Sequence, residues 1–241
     1  PILRILIQVF LSVYLIFSTG VYLVSLGDLF GFGDVKLGIF SIPMTIFCVV
    51  GIMNAFNMLD GINGLCSGCA MLALMLMGFY SGLIYDSMLV LIIGSMIGFV
   101  LFNLGVFGRK RAVFLGDSGS NLVGFWVAWV AVYASQSEIY IIEPITILWF
   151  VAIPLLDCIG LIYSRTKKGK GWSTPGRDHI HHKLMQKYSS RATLLVLLLI
   201  TFTTGMFGIL CEIFLGKLLS KYIMYHITFL QFFDDTLRCL S

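Results

Sequence analysis

The chain has 241 residues, of which 59% are hydrophobic and only 12% are charged, and its mean hydropathy is +0.96. Soluble domains carry roughly 25% charged residues, so this composition excludes a soluble globular protein. It predicts an all-α, polytopic membrane helix bundle with a lipid bilayer as its solvent. We expect no nucleic-acid partner.

Seven apolar stretches are long enough to cross a bilayer, because about 20 apolar residues span its hydrocarbon core. A shorter stretch near 219–233 is a candidate eighth span. We therefore predict a transmembrane domain over 1–215 and a C-terminal segment over 216–241 that holds the short eighth span and a tail. In chain order the seven predicted spans lie near 5–26, 37–56, 65–84, 87–107, 120–136, 143–163 and 193–215.

Basic residues are distributed unevenly between the two sets of connections. Twelve of the sixteen lysines and arginines fall before the first span, in the 108–119 loop or in the 164–192 loop. Cytoplasmic loops of membrane proteins carry an excess of Lys and Arg. The pattern predicts that these segments, together with the 57–64 loop, face the cytoplasm from the inner (cytoplasmic) membrane.

The six cysteines lie mostly inside apolar stretches. Cys66 and Cys69 have the spacing of a redox CxxC pair, but small residues also suit helix–helix contacts in lipid. We read the cysteines as small membrane residues and not as a disulfide framework.

The first of three polar clusters is NAFNMLDGIN at 54–63, between two apolar spans. Asp60 and three asparagines supply carboxylate and amide groups, and Gly61 permits a tight turn and the close approach of a ligand. A polar helix cap or turn is the alternative interpretation.

The second cluster is FLGDSGSN at 114–121. A carboxylate flanked by glycines and hydroxyls, as Asp117 is, can hold Mg²⁺ while backbone N–H groups face a phosphate. The alternative is a helix N-cap formed by Ser118 or Ser120.

The third cluster is RDHIHH at 177–182. Its three histidines would bind phosphates or zinc, and phosphate is favoured because no cysteine is nearby and hard carboxylates lie elsewhere. A solvated basic loop is the alternative. Asp157, inside the apolar IPLLD stretch, fits either support of the site or intramembrane helix packing.

The motifs NAFNMLDGINGL, NLGVFGRKRAVFLGDSGSNLVGF and RDHIHHKLM, in this order, resemble the polyprenyl-phosphate N-acetylhexosamine-1-phosphate transferases (glycosyltransferase family 4, MraY superfamily). The WecA-type branch is nearest. The resemblance covers about 1–213. It implies an enzyme that transfers N-acetylglucosamine-1-phosphate (GlcNAc-1-phosphate) from UDP-GlcNAc to undecaprenyl phosphate and releases UMP. The cofactor implied is Mg²⁺, or Mn²⁺ in its place, and the product would start a cell-envelope polysaccharide such as lipopolysaccharide O-antigen or common antigen.

The resemblance also implies roles for single residues. Asp117 corresponds to the Mg²⁺-binding aspartate, Asp60 to an aspartate that acts in catalysis or organises the metal site, and the histidines to a loop that grips the diphosphate. The implied catalytic residues are thus Asp60, Asp117, His179, His181 and His182.

Substrate-binding residues follow from the same resemblance. Gly61, Ile62 and Asn63 correspond to the strip that reads uracil, Phe114 to an aromatic that stacks on the base, and Asn103 to an asparagine that lines the nucleotide pocket. Further substrate-binding positions are Asn54, Asn57, Arg109, Arg111 and Arg177.

Two departures from the family pattern bear on function. The family's Asp-Asp motif would lie a few residues before Pro1, so we expect an N-terminally incomplete chain. Asn63 stands where bacterial members usually carry Asp. The alternatives are therefore a sister activity with another UDP-N-acetylhexosamine, an inactive truncated member, or, in a different class, a membrane transporter or scaffold. Transporters place ionisable residues near the membrane midplane and often contain repeats, which disfavours the last. The sequence does not indicate an oligomeric state, although a homodimer is compatible with it.

Overall fold

The computed structural model describes residues 2–27, 33–137, 142–167, 169 and 179–215, which form a bundle of α-helices. Apart from one isolated bridge between Ser25 and Lys36, these residues contain no β-structure. The predicted all-α class is therefore confirmed. The helices are α1 (Ile2–Thr19), α2 (Ser41–Leu59), α3 (Leu65–Ser81), α4 (Ser87–Asn103), α5 (Gly116–Gln136), α6 (Pro144–Phe150), α7 (Ala152–Lys167), α8 (Ile180–Met185) and α9 (Ser190–Leu210).

Within the described residues, three helical stretches are each long and apolar enough to cross a membrane: Ile2–Thr19, Gly38–Leu59 and Ser190–Phe214. Helices α6 and α7 meet the same condition together, as a pair bent by 84°. Helices α3 and α4 are apolar but have 17 residues each. The chain is thus a membrane-embedded helix bundle. The predicted count of seven to eight spans stays a prediction, and the segment 216–241 lies outside the described residues.

The predicted span at 143–163 is in fact broken in two. Helix α6 ends at Phe150, and α7 begins at Ala152 after Val151, whose φ and ψ are −111° and 17°. Pro154 explains the break: it has no N–H to donate to the carbonyl of Phe150, and its ring would clash with that carbonyl in a continuous helix. The sharp turn redirects α7 and the polar residues on it.

The predicted first span, 5–26, also ends earlier than expected. Helix α1 stops at Thr19, and Gly20 has a φ of 70°. The following backbone pairs with a later segment, because Leu26 N–H donates to Val35 C=O and Leu37 N–H donates to Val24 C=O.

Helix α3 lies at the centre of the bundle, packed against α4, α5 and α9. Small residues permit close approach there and elsewhere: a Cβ on Gly124 of α5 would lie 2.9 Å from the Cα of Met53 in α2. Cys66 and Cys69 are buried free thiols in α3. The other three cysteines in the described residues, Cys48, Cys158 and Cys211, are likewise free thiols, and the interpretation of the cysteines as small membrane residues stays a prediction.

Candidate active site

The three polar clusters meet at one end of the bundle. Asn57 donates to the Ser120 hydroxyl at 2.8 Å and lies 3.5 Å from an oxygen of Asp117, which joins the first cluster to the second. Gly61 lies against the imidazole ring of His181, which joins the first to the third. Residues far apart in the chain therefore form one polar site.

The turn between α2 and α3 carries Asp60 and Gly61. Helix α2 ends at Leu59, and Gly64, with a φ of 82°, starts α3 from a left-handed conformation that favours glycine. Buried Asn103 braces this turn: its carbonyl oxygen accepts from Gly64 N–H at 2.5 Å, and its amide donates to Val113 C=O at 2.7 Å. Both polar ends of Asn103 thus hold backbone, while its predicted contact with a nucleotide stays a prediction.

Helix α5 begins at Gly116, four residues before the predicted start of its span, and places Asp117 in its exposed first turn. The alternative of a serine N-cap is wrong, because Leu115 occupies the N-cap position without a side-chain hydrogen bond. Ser120 instead donates to the carbonyl oxygens of Gly116 and Asp117. Asp117 is therefore free to meet a ligand at the helix start.

Asp60 and Asp117 lie close enough to influence each other. Burial raises the pKa of the Asp60 carboxyl, and the negative charge of Asp117 raises this pKa further. Two neighbouring carboxylates are a donor set suited to a hard divalent cation, which would relieve their repulsion. The residues present therefore fit Mg²⁺.

The histidine cluster is held by α7. His179 Nδ1 lies 2.9 Å from Asp157 Oδ2, and Ile180 N–H donates to Asp157 Oδ1 at 2.8 Å. His181 is 1% exposed, and neither ring nitrogen has a hydrogen-bond partner. Burial and then the neighbouring His182 and His179 lower the pKa of His181 to about 4, against the opposing charge of Asp157. At pH 7 His181 is thus a neutral imidazole.

Helix α1 contributes residues that the sequence prediction missed. Arg4 donates to Asn57 at 2.7 Å and to Asn54 at 3.2 Å. Gln8, 2% exposed, accepts from Asn54 at 2.8 Å and donates to Asn121 at 2.6 Å. The available signal was the spacing of polar residues at 4, 8 and 12 in an apolar helix, which places them on one face.

For the other predicted site residues, the described part of the structure neither supports nor opposes the predicted roles. Phe114 is 79% exposed, Arg111 and Asn63 are exposed, and Ile62 packs against the apolar core. Arg177 and the side chain of Arg109 lie outside the described residues. The roles implied for all of these stay predictions.

Comparison with known proteins bears on the whole chain. Residues 1–135 match the model of glycosyl transferase family 4. The chain is 38% identical over 218 residues to an undecaprenyl-phosphate alpha-N-acetylglucosaminyl 1-phosphate transferase of Yersinia pestis, covering 87% of this chain and 59% of the relative. It is 33% identical over 236 residues to the protein of the same name from Escherichia coli strain K12, covering 96% and 64%.

A third relative of that name, from Haemophilus influenzae, is 34% identical over 238 residues and covers 95% of this chain and 66% of its own. The chain thus spans about three-fifths to two-thirds of the length of these relatives. A family match over more than half of the chain and identities above 30% agree with the motifs at 54–63, 114–121 and 177–182. The chain belongs to glycosyl transferase family 4.

Proposed function

We propose that this chain forms the membrane core of an enzyme that transfers GlcNAc-1-phosphate from UDP-GlcNAc to undecaprenyl phosphate and releases UMP. The observation that carries the proposal is the 33–38% identity to relatives named for this reaction. The convergence of Asp60, Asp117 and the histidine cluster on one end of the bundle supports it.

This reaction depends more on the positioning of charged and hydrogen-bonding groups around the phosphates than on covalent catalysis. An oxygen of the lipid phosphate attacks the β-phosphorus of UDP-GlcNAc, and the bond between this phosphorus and the oxygen bridging to the α-phosphate breaks. UMP leaves, and the sugar remains on a lipid diphosphate. Negative charge accumulates on the transferring phosphate, so preorganised donors and cations lower the barrier.

Asp117, with Asp60 beside it, would hold Mg²⁺, or Mn²⁺ in its place. When bound, such a cation offsets charge on the diphosphate. Asn57 orients Asp117 through its amide, 3.5 Å from the carboxylate oxygen. The histidine cluster supplies ring N–H donors for phosphate oxygens, and the half-buried Asp60 adjoins Gly61, which lies against His181.

We also propose that the site faces the cytoplasm from the inner membrane. The twelve basic residues of the N-terminal end, the 108–119 loop and the 164–192 loop support this orientation. The acceptor is a long polyprenol that stays in the bilayer, which gives a chemical reason for the embedding of the site. The lipid-linked product of the transfer would begin a cell-envelope polysaccharide such as O-antigen or common antigen.

The test is a transfer assay on the full-length protein that contains this sequence, purified in detergent. Radiolabelled UDP-GlcNAc, undecaprenyl phosphate and Mg²⁺ should yield a labelled lipid diphosphate and an equal amount of UMP, and chelation of the cation should stop the reaction. UDP-N-acetylgalactosamine and UDP-N-acetylmuramoyl-pentapeptide, tested in parallel, should be poor donors. A faster reaction with either would redirect the proposal to a sister activity, and no transfer from any donor would refute it.

The role of Asp117 is tested with the variant Asp117→Asn, and the matched control removes a different carboxylate, that of Asp86. Asp86, at the start of α4, accepts hydrogen bonds from the backbone N–H groups of Met88 and Leu89. Asp86→Asn should transfer at nearly the rate of the wild type, whereas Asp117→Asn should not. Equal rates in the two variants would remove Asp117 from the site.

A further inference from the structure

Asp157 is an acidic residue in α7, and each of its two carboxylate oxygens has a hydrogen-bond partner. Its side chain is 6% exposed, and that of its partner His179 is 12% exposed. One oxygen lies 2.9 Å from His179 Nδ1, and the other accepts from Ile180 N–H at 2.8 Å. The helix-packing alternative leaves both of these contacts unexplained, since they run to the histidine cluster and not to another span.

The contact fixes the tautomer of His179. An ionised carboxylate only accepts hydrogen bonds, so the ring proton of His179 must be on Nδ1. The Nε2 atom is then the ring nitrogen left to face a ligand. Fixed tautomer and orientation are what an imidazole needs to act on a defined atom of a substrate.

The same carboxylate anchors the short helix α8. Its oxygen Oδ1 accepts the N–H of Ile180, the first residue of α8. Helix α8 carries His181, which lies against Gly61 in the turn that holds Asp60. Asp157 thus connects α7 to the face of the histidine cluster that meets the first polar cluster.

Asp157, His179 and His181 also offer ligand atoms within 4.8 Å of one another, as a metal site would. Both oxygens of Asp157 already accept from N–H groups, however, so a cation would have to displace two hydrogen bonds. The existing contacts favour a hydrogen-bonded arrangement over a metal centre.

We infer that Asp157 is a positioning residue for phosphate transfer. It accepts from His179 Nδ1–H, and its negative charge favours a second ring proton on Nε2, so that Nε2–H can donate to the nucleotide's phosphates. This inference rests on the proposed function, in which the histidine cluster contacts the diphosphate. Asp157 itself touches no substrate. Its effect on the rate runs through His179.

Asp157→Asn is the sharpest test, because the asparagine oxygen can still accept from Ile180 N–H and keep α8 anchored. The amide N–H₂ then replaces the oxygen that faced His179, so Nδ1 has to accept and the ring carries a single proton, on Nε2. His179 therefore meets the phosphates as a neutral imidazole and not as an imidazolium paired with a carboxylate. We expect kcat in the full-length enzyme to fall on the order of 10- to 100-fold. Asp86→Asn is the control for loss of a capping carboxylate and should leave kcat unchanged.

A double-mutant cycle separates positioning from general damage. In a His179→Ala background, Asp157→Asn should lower kcat by less than about twofold, because the residue through which it acts is gone. If the two losses instead multiply, Asp157 acts independently of His179 and the inference is overturned. Recovery of part of the rate by Asp157→Glu would further support it.

A measurement without turnover keeps the inference testable if the variant folds poorly or the enzyme proves inactive. This sequence contains four histidines, so ¹⁵N-histidine labelling in nanodiscs can identify the tautomer of each ring. His179 of the wild type should carry a proton on Nδ1, and a ring protonated on Nε2 alone or a spectrum that changes on addition of Zn²⁺ would overturn the inference. A wild type that shows the expected tautomer but no transfer would refute the proposed function alone.

Discussion

A single methyl group at residue 61 should disturb the junction between two polar clusters. A Cβ added to Gly61 would overlap the His181 imidazole and lie 2.8 Å from its Cδ2 atom, closer than real side chains pack. The φ of Gly61 is not in the left-handed region, so alanine strains no backbone there. The effect of Gly61→Ala is therefore the displacement of His181 or of the Asp60–Gly61 turn.

The expected magnitude follows from overpacking. Forcing one extra methyl group into a filled site costs about 1–3 kcal/mol. His181 is 1% exposed, so we expect most of this free energy to be spent on displacing His181 or the turn that carries Asp60. Since each 1.4 kcal/mol is tenfold in rate, kcat/KM for UDP-GlcNAc should fall by about 5- to 150-fold.

Two controls make the experiment decisive. Gly51→Ala in α2 adds the same methyl group where no atom lies within 4 Å, and it should leave kcat/KM unchanged. In a His181→Ala background the obstructing ring is absent, so Gly61→Ala should have no further effect. Full activity of Gly61→Ala, or an undiminished loss without the ring, would show that the contact between Gly61 and His181 is irrelevant to transfer.

Four further outcomes are expected. Asp117→Asn should lower transfer on the order of 10³-fold or more while its elution on gel filtration is unchanged, and near-normal turnover would contradict this. Because the pKa of His181 is lowered from 6.5 to about 4, the unfolded state binds more protons between these values. Thermal stability should therefore fall as pH drops through that window, by at most on the order of 3 kcal/mol, and His181→Asn should flatten the slope. In a background without other cysteines, thiol reagents should label cysteines at Tyr85 and Lys187 from opposite sides of the membrane, and labelling from one side would refute the orientation. Gln8→Leu should weaken Mg²⁺ activation several-fold, because it breaks the bridge between α2 and α5, and an unchanged Mg²⁺ dependence would exclude that role.

The sequence predicted the helices well because hydropathy is a local property. Each of the seven predicted spans overlaps a helix or, at 143–163, the pair α6 and α7. The bend between them was missed because the stretch is apolar throughout. Pro154 was the visible signal, since proline removes a helical hydrogen bond to Phe150 and obstructs its carbonyl.

Contacts between distant residues were harder to foresee. Gln8 and Asn121 are 113 positions apart, and their hydrogen bond depends on how α1 packs on α5. For Asp157 the sequence left support of the site and helix packing equally open, and only the two hydrogen bonds to His179 and Ile180 distinguish them. A polar residue in an apolar helix signals a partner, but its identity is set by tertiary packing.

The polar contacts of α1 also explain what orients the Asp117 carboxylate at the start of α5. Arg4 only donates hydrogen bonds, so the Asn57 oxygen must face it, and the Asn57 amide must then face Ser120 and Asp117. Gln8 ties Asn54 to Asn121, which fixes the same two helices one turn deeper. Lipid gives helices little hydrophobic reason to associate, so packing and hydrogen bonds between them have to set their register. The orientation of Asp117 is therefore a property of three packed helices, α1, α2 and α5, and not of the loop that precedes it. A change on α1 that never touches substrate should therefore alter the orientation of Asp117.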